Sequence, residues 1–435
     1  MKQISNVWRR IAANDVARSI VGVGSATALS QLIALGVSPL LSRLYPQAVF
    51  GAFSAFFAFA NILAALCLAG LNDAVIAAHD DDEALMLARL GSRLLACLLL
   101  PAGLLSLAAI DHHWFGLGEL PRWAAALLVA ELICLVFSSY FQSLLVRFRR
   151  FNRVSHAYLA NGIGRAGGQL GGGVAAAGLL GMGGGELLGR AVAAWLMRRA
   201  LLTELARGRR FTASKTFEVL RLYRHFPIAR TPSAVASAIA VGAPPLMMVA
   251  LFGARDAGLF ALMVLALSAP LALIQRSVGD VFLGHFSHRF RVDRALAMRL
   301  LWQMVIGLGA IAALGAAILL AAGPSLFALV FGPQWAAAGA MARAAVPMLV
   351  TQLLVLPVAT AITVANRPEV KIVYDVLYLG ALAIGWHAAT VDALSAIDFV
   401  WLLSVLTAGV TILYFGLVLW ACHHPRLRAA AAATA

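Results

Sequence analysis

Five arginines stand inside stretches apolar enough to cross a bilayer, and a guanidinium in that setting needs a chemical reason. Arg165, Arg190, Arg230, Arg276 and Arg343 each fall within such a stretch, and Arg43 closes the first one. An arginine at the bilayer centre costs about 2.5–3.5 kcal/mol on insertion scales, so several facing lipid would carry a heavy penalty. They are expected to face a watery cavity or a partner. Guanidinium groups grip phosphate oxygens in forked, charge-assisted geometry, so a cavity with surplus positive charge fits an anionic ligand. The acids able to answer them are few: Glu131, Glu186 and Asp280. Arg276 and Asp280 lie four residues apart on one helical face and can pair with each other. Arg165, Arg190, Arg230 and Arg343 are expected to lack an acid nearby in the chain. For any one arginine, a cross-helix pair or a side chain snorkelling to the interface is the structural alternative. Glu131 and Asp280 are the buried acids available for coupling to a proton or another cation.

Other chemistry finds little footing. A nucleotide-driven pump needs a phosphate-cradling loop ending in Gly-Lys-Ser or Gly-Lys-Thr, and the Gly171-Gly172-Gly173 and Gly183-Gly184-Gly185 runs lack the lysine. His112-His113 and His423-His424 are adjacent pairs, whereas helical metal ligands stand three or four apart. Cys67, Cys97, Cys134 and Cys422 are scattered without ligand spacing. No metal or cofactor is therefore expected. The outer loops offer only isolated acids, Asp111, Glu119, Asp256 and Asp392, which argues against an enzyme.

The elements that must position the arginines follow from composition. With 62% hydrophobic residues, 12% charged and a mean hydropathy of +0.88, most of the surface must be solvated by lipid. Twelve helical spans are expected, at 19–44, 48–71, 84–110, 122–146, 156–180, 184–203, 226–252, 257–282, 297–323, 336–365, 370–390 and 395–422. At the ends of these spans and in the connections and tails, 24 Lys and Arg fall on one side and three, Arg43, Arg122 and Arg255, on the other. Both termini are therefore expected on the cytoplasmic side. The basic residues form short juxtamembrane clusters rather than one soluble face, so the pI near 10.7 does not imply nucleic acid. The acidic run Asp80-Asp81-Asp82-Glu83 breaks the pattern and is expected to cap the following helix, with contact to a partner enzyme as the alternative.

The chain also echoes itself. Pro39 precedes Gly51-Ala52-Phe53-Ser54 much as Pro245 precedes Gly258-Leu259-Phe260-Ala261, which suggests a duplication of six helices with bundles at 1–210 and 211–435. Gly164, Gly168 and Gly172 fall four apart, where small residues let helices approach closely or bend. Pro39, Pro101, Pro232, Pro244, Pro245, Pro270, Pro347 and Pro357 fall inside the spans, and such kinks suit helices that rock.

Several segments resemble one family. Ser38-Pro39-Leu40-Leu41-Ser42-Arg43-Leu44-Tyr45-Pro46 followed by Phe50-Gly51 is similar to the opening of polysaccharide-biosynthesis flippases, the O-antigen and exopolysaccharide transporters. Phe331-Gly332-Pro333-Gln334-Trp335 with Pro347 beyond it resembles the turn before that family's tenth helix. Tyr223-Arg224-His225-Phe226-Pro227 and Ala257-Gly258-Leu259-Phe260 resemble the start of its second half and its outer turn before helix 8.

The resemblance implies the multidrug/oligosaccharidyl-lipid/polysaccharide exporter superfamily: an all-α integral membrane protein of two six-helix bundles around a central cavity. It implies a substrate of undecaprenyl-diphosphate-linked oligosaccharide, turned across the bacterial inner membrane without covalent chemistry or cofactor. Polysaccharide polymerase and glycosyltransferases are the implied partners, with membrane lipids around the protein. On this reading Arg43, Arg165, Arg190, Arg230, Arg276 and Arg343 bind the substrate, while Glu131 and Asp280 couple an ion. Those residue roles come from depth and charge rather than from the family. A multidrug exporter of the same architecture is the first rival, although cationic drugs would want buried acids. A membrane glycosyltransferase or polymerase, and a scaffold for sugar-assembly enzymes, are further rivals.

Overall fold

A computed structural model describes residues 24–208, 218–219, 221–365 and 369–423. Among them the regular structure is entirely helical, without strands. The helices are α1 (Gly24–Leu44), α2 (Gln47–Leu68), α3 (Leu71–Ala77), α4 (Asp81–Asp111), α5 (Ala124–Arg147), α6 (Phe151–Val174), α7 (Gly178–Arg199) and α8 (Leu202–Gly208). There follow α9 (His225–Val292), α10 (Arg294–Phe331), α11 (Ala336–Ala344), α12 (Val346–Ala365), α13 (Glu369–Val391) and α14 (Ala396–His423). As far as the described residues reach, each of the twelve apolar stretches forms a helix. The chain is an all-α, multi-pass membrane protein.

Eight helices are long and apolar enough to cross a bilayer, and a ninth span arises if the bent pair Pro333–Ala344 and Val346–Val355 is one crossing. The shortfall from twelve has identifiable causes. The 48-residue stretch His225–Ala272 corresponds to two expected spans, because α9 breaks at Gly253, whose φ of 81° suits glycine. Helices α6 and α7 are rich in glycine and carry internal charge, which lowers their hydropathy although each is long enough to span. Side chains such as Leu100, Val241 and Leu329 are 71–79% exposed, an apolar surface suited to lipid.

The chain divides after Gly258 into two compact units. The boundary expected near residues 210 and 211 lies outside the described residues.

In the first unit, the proline of α1 is accommodated locally. Pro39 has no N–H to give the carbonyl of Leu35, and the Ser38 hydroxyl donates to that carbonyl instead, at 2.7 Å. Tyr45, just beyond α1, donates from its hydroxyl to the Gln169 carbonyl on α6 at 2.6 Å. Within this unit, Gly51 and Gly258 are both in close contact. A Cβ on Gly51 would lie 1.9 Å from the Ala254 carbonyl oxygen, and one on Gly258 would lie 1.8 Å from that of Gln47. Arg255 Nε adds a 3.0 Å hydrogen bond to Gln47 Oε1.

The longest run of close packing lies between α6 and α7. Three glycine pairs face one another: a Cβ on Gly164 would fall 3.0 Å from Gly189 Cα, on Gly168 2.7 Å from Gly185 Cα, and on Gly172 2.4 Å from Gly181 Cα. The packing role expected for the four-residue glycine spacing is the one observed, and the opposing glycines on α7 complete it.

The second unit repeats the device once. Gly339 on α11 meets Gly323 on α10 so closely that a Cβ on Gly339 would stand 2.3 Å from the Gly323 oxygen. Between α11 and α12 the axis bends by 56° near Pro347, whose ring removes a ladder hydrogen bond. The hydroxyl of Ser404 on α14 accepts from the Met348 N–H at 2.9 Å, restoring one donor of the broken turn.

The contrast between facing and free glycines is testable. Gly168→Leu is expected to lower the thermal midpoint in detergent, through an overpacking cost of about 1–3 kcal/mol. Gly171→Ala, where a Cβ meets nothing within 4 Å, is expected to leave the midpoint unchanged or raise it. Equal destabilisation by both would remove the glycine contacts as the cause.

Candidate functional site

The α6–α7 hairpin sets a charged cluster inside the first unit. Close approach at Gly164 and Gly189 places the neighbouring residue Arg165 beside α7, where Glu186 and Arg190 occupy successive turns. Arg190 Nη2 donates to Glu186 Oε1 at 2.6 Å, and Arg190 Nε lies 2.7 Å from Glu131 Oε1 on α5. Arg165 Nη1 stands 3.7 Å from the other Glu186 oxygen. The guanidinium of Arg190 also lies over the Phe57 ring of α2, 5.6 Å from its centroid. Glu131 is wholly buried. Its contact with Arg190 is close but poorly aligned for hydrogen bonding, so neither Glu131 oxygen accepts a hydrogen bond among the described residues.

Arg190 therefore does have an acid nearby in the chain, contrary to the expectation from the sequence, while Arg165 takes the cross-helix alternative. Two positive and two negative groups balance. Charges removed from water survive only where they are paired, and here the pairing runs through three helices. Glu186 sits four residues before Arg190, an i,i+4 relation already visible in the sequence. The Glu131 partner lies on another helix.

The other arginines are dispersed. Arg43 is exposed at the end of α1, with no ion pair or hydrogen bond among the described residues. Arg230, on α9, is exposed and reaches Asp73 of α3 at 3.5 Å. The side chains of Arg276 and Asp280 lie outside the described residues, and so does their expected pairing. Arg343, half-buried on α11, is held by carbonyls: Nη2 donates to Ala321 O at 2.9 Å and Nε to Leu319 O at 3.4 Å. Those carbonyls precede Pro324 on α10, and the Gly323–Gly339 approach brings the arginine to them. Among the described residues Arg343 meets no carboxylate.

Two arginines escaped the sequence reading. Arg89 and Arg93 lie on α4, within the stretch assigned to the third span. Arg93 is exposed on the face that carries Leu100 and Leu104. A helical side chain leans toward the N-terminus of its helix, so both can direct their charge toward the Asp81 end. The signal was present in the charge count, but the span's apolar length concealed it.

The acidic run before α4 is absorbed internally. Asp80 accepts from the Glu83 N–H at 2.7 Å and caps the helix as expected. Asp81 pairs with Arg147 Nε at 3.0 Å, and Arg147 Nη1 donates to the Ala78 carbonyl at 2.6 Å. Tyr223 donates to Glu83 Oε2 at 2.7 Å and accepts from the His79 N–H at 2.9 Å. Burial, reinforced by the Glu83 hydrogen bond, raises the Tyr223 phenol above its ordinary pKa. This network ties the stretch before α9 to the start of α4. Among the buried and half-buried amides, Gln169 donates to the Met182 carbonyl at 3.3 Å and Asn61 to Phe57 O at 2.7 Å, so both serve helix packing.

Two measurements separate structural from incidental charges. Arg190→Ala leaves Glu131 buried without its cation and is expected to cost about 3–5 kcal/mol, with partial recovery when Glu131→Gln is added. Arg165→Ala, at a longer and partly exposed contact, is expected to cost less than about 1 kcal/mol. Thermal midpoints in detergent order the three variants. Tyr223→Phe is expected to lose about 1 kcal/mol by the same measurement, since it removes the donor to Glu83.

No family model matches the chain, and no curated protein matches it. Solved structures do. An inward-facing multidrug resistance MATE family transporter of the MOP superfamily is 15% identical, with a TM-score of 0.67 over 94% of this chain and 98% of that one. The lipid II flippase MurJ, in an inward closed conformation, is 12% identical with a TM-score of 0.69 over 91% and 86%. A MOP superfamily transporter from Pyrococcus furiosus, described as having a binding pocket of reverse polarity, is 15% identical with a TM-score of 0.57 over 93% and 95%. At these identities the likeness is one of architecture, and the chain has the fold of MOP superfamily transporters.

Proposed function

We propose that the protein is a flippase that moves an undecaprenyl-diphosphate-linked oligosaccharide from the cytoplasmic to the outer leaflet of the bacterial inner membrane. The product would feed synthesis of O-antigen, capsule or exopolysaccharide. On this reading both termini are cytoplasmic, and residues 1–210 and 211–435 form the two bundles that rock about the substrate path. Polymerase and glycosyltransferases act before and after it. The fold shared with a lipid II flippase supports a lipid-linked substrate.

One observation carries the reading: Glu131 and Glu186 are both engaged by arginine, while Arg343 and Arg43 meet no acid among the described residues. Positive charge is thus in surplus, as a diphosphate requires. Arg343 is the foremost candidate to meet it, because its carbonyl partners orient the guanidinium without neutralising it. Arg165, Arg190, Arg230 and Arg276 are assigned to the remainder of the path, with Arg165 and Arg190 in a balanced cluster whose charge a passing anion or proton can redistribute. Glu131 and Asp280 are the proposed coupling acids. No covalent step is needed, and an ion gradient or consumption of the product supplies the direction.

The likeness to a MATE family transporter favours a second reading, a multidrug exporter. Glu131 and Glu186 are already paired with arginine, which disfavours cationic drugs as cargo.

Reconstituted protein with a lipid-linked oligosaccharide in the inner leaflet tests the choice. Arg343→Ala is expected to slow appearance of the glycan outside about tenfold or more, as befits loss of a charged hydrogen bond, with Arg343→Lys retaining part of the rate. Because Arg343 also holds α10 carbonyls, thermal midpoints are compared alongside. Unchanged rates in a stably folded Arg343→Ala protein would refute its role, and transport of a cationic dye but not of glycolipid would select the exporter.

A further inference from the structure

A second cationic recess lies away from the intramembrane arginines, at the turn between α5 and α6. A cavity of about 470 Å³ is lined by Arg149, Arg150, Asn152, Arg153 and Arg199, with Phe151 and Ala200. The adjoining recess, of about 400 Å³, contains the two acids of this neighbourhood, Asp81 and Glu204. Both are taken. Asp81 pairs with Arg147 and Glu204 with Arg150. Arg149, Arg153 and Arg199 are exposed and have no acid partner among the described residues. Three uncompensated guanidinium groups therefore line one concave surface.

The depth of this recess is marked by an aromatic ring. Trp195, 53% exposed on the last turns of α7, is the kind of side chain that settles at the boundary between hydrocarbon and headgroups. Arg199, one turn later, lies over that ring with its guanidinium 5.5 Å from the centroid. Stacking fixes the direction of the charge just outside the hydrocarbon edge. Two further features strengthen the positive field. No side chain caps the first turn of α6, and its N-terminal residues Phe151 and Asn152 line the same cavity. Arg149 occupies the left-handed backbone region, φ 56°, at the end of α5, a position that ordinarily favours glycine. Its N–H bonds to the Val146 carbonyl at 3.0 Å, so the turn is closed and the arginine is held at its tip.

We propose that this recess binds the phosphate-bearing headgroup of a membrane lipid, on the side of the bilayer that we assign as cytoplasmic. Forked guanidinium groups match phosphate oxygens, while the neighbouring Trp195 lies where the acyl chains begin. A general attraction of basic loops to anionic lipid would not require a cavity or a stacked arginine. The site stands whether or not the protein turns a glycolipid over, since it uses none of the residues assigned to the transport path.

The test uses the full chain, reconstituted in bilayers of equimolar phosphatidylglycerol and phosphatidylcholine and then extracted, with co-purifying lipid quantified by mass spectrometry. The wild type is expected to retain phosphatidylglycerol selectively, and a variant carrying Arg149→Gln, Arg153→Gln and Arg199→Gln to lose about tenfold or more of that selectivity. A control with Arg221→Gln, Arg224→Gln and Arg289→Gln removes equal charge from other basic segments and is expected to keep it. Inorganic diphosphate is expected to compete for retention. Equal loss in both triple variants would reduce the effect to net charge and overturn the site. Retention unchanged in the first variant would overturn it too. Binding of inorganic diphosphate in lipid-free detergent as tight as that of the lipid would replace the headgroup with a soluble phosphate and overturn the lipid assignment.

Discussion

Close backbone approach between α6 and α7 is the constraint on which the polar interior of the first unit depends. Arg165 on α6 stands beside Glu186 and Arg190 of α7 because the two helices come close, whereas Glu131 reaches Arg190 through the packing of α5 on α7. Facing glycines along the seam provide that nearness, and Gly164 and Gly189 provide it beside Arg165 and Arg190. The cost of glycine in a helix, roughly 1 kcal/mol relative to alanine, is small against the cost of an unpaired buried charge. The same hairpin receives Tyr45, whose hydroxyl ties the end of α1 to the Gln169 carbonyl. Packing and electrostatics are thus linked at this seam, where loss of the small residues would also separate Arg165 from Glu186.

Much of the architecture was legible because the bilayer imposes simple rules on a chain. Length and apolarity marked the helices, and the sorting of Arg and Lys marked the loops, since neither property depends on which helix lies beside which. Gly168 and its relatives at four-residue spacing were legible for the same reason, as a feature of one face of one helix. The capping role of Asp80 was readable from its place before an apolar run. What escaped depends on neighbours distant in sequence. Glu131 and Arg190 are 59 residues apart and meet only because α5 packs on α7. Arg93 escaped for another reason, since a long apolar span can carry a charge near one end without losing its character. Glu186 and Arg190, four apart on α7, pair along one helical face, a relation their spacing alone makes legible.

Arg343 shows what the second unit does differently with the same materials. There too a pair of glycines, Gly323 and Gly339, lets two helices meet at an arginine. Its partners, however, are the carbonyls of Leu319 and Ala321 near a proline rather than carboxylates. Carbonyl dipoles orient a cation and lower the penalty of its burial while leaving its net charge intact. A paired arginine already has its charge answered, and a carbonyl-held arginine still has charge to offer. The distinction sorts the intramembrane arginines more sharply than their depth does.

That sorting bears on how an anion could cross without being trapped. A path lined throughout by unpaired guanidinium groups would bind a diphosphate tightly and release it slowly, because every forked contact must be broken for the next step. On the proposed function, arginines already engaged by carboxylate would offer an anion weaker, exchangeable contacts. Glu131 and Glu186 would then compete for Arg190 and Arg165, so that an approaching phosphate would have to displace a carboxylate instead of filling an empty site. Conduction of charged cargo requires binding favourable enough to enter and weak enough to leave, and competition of this kind meets both demands with the side chains that the first unit already contains.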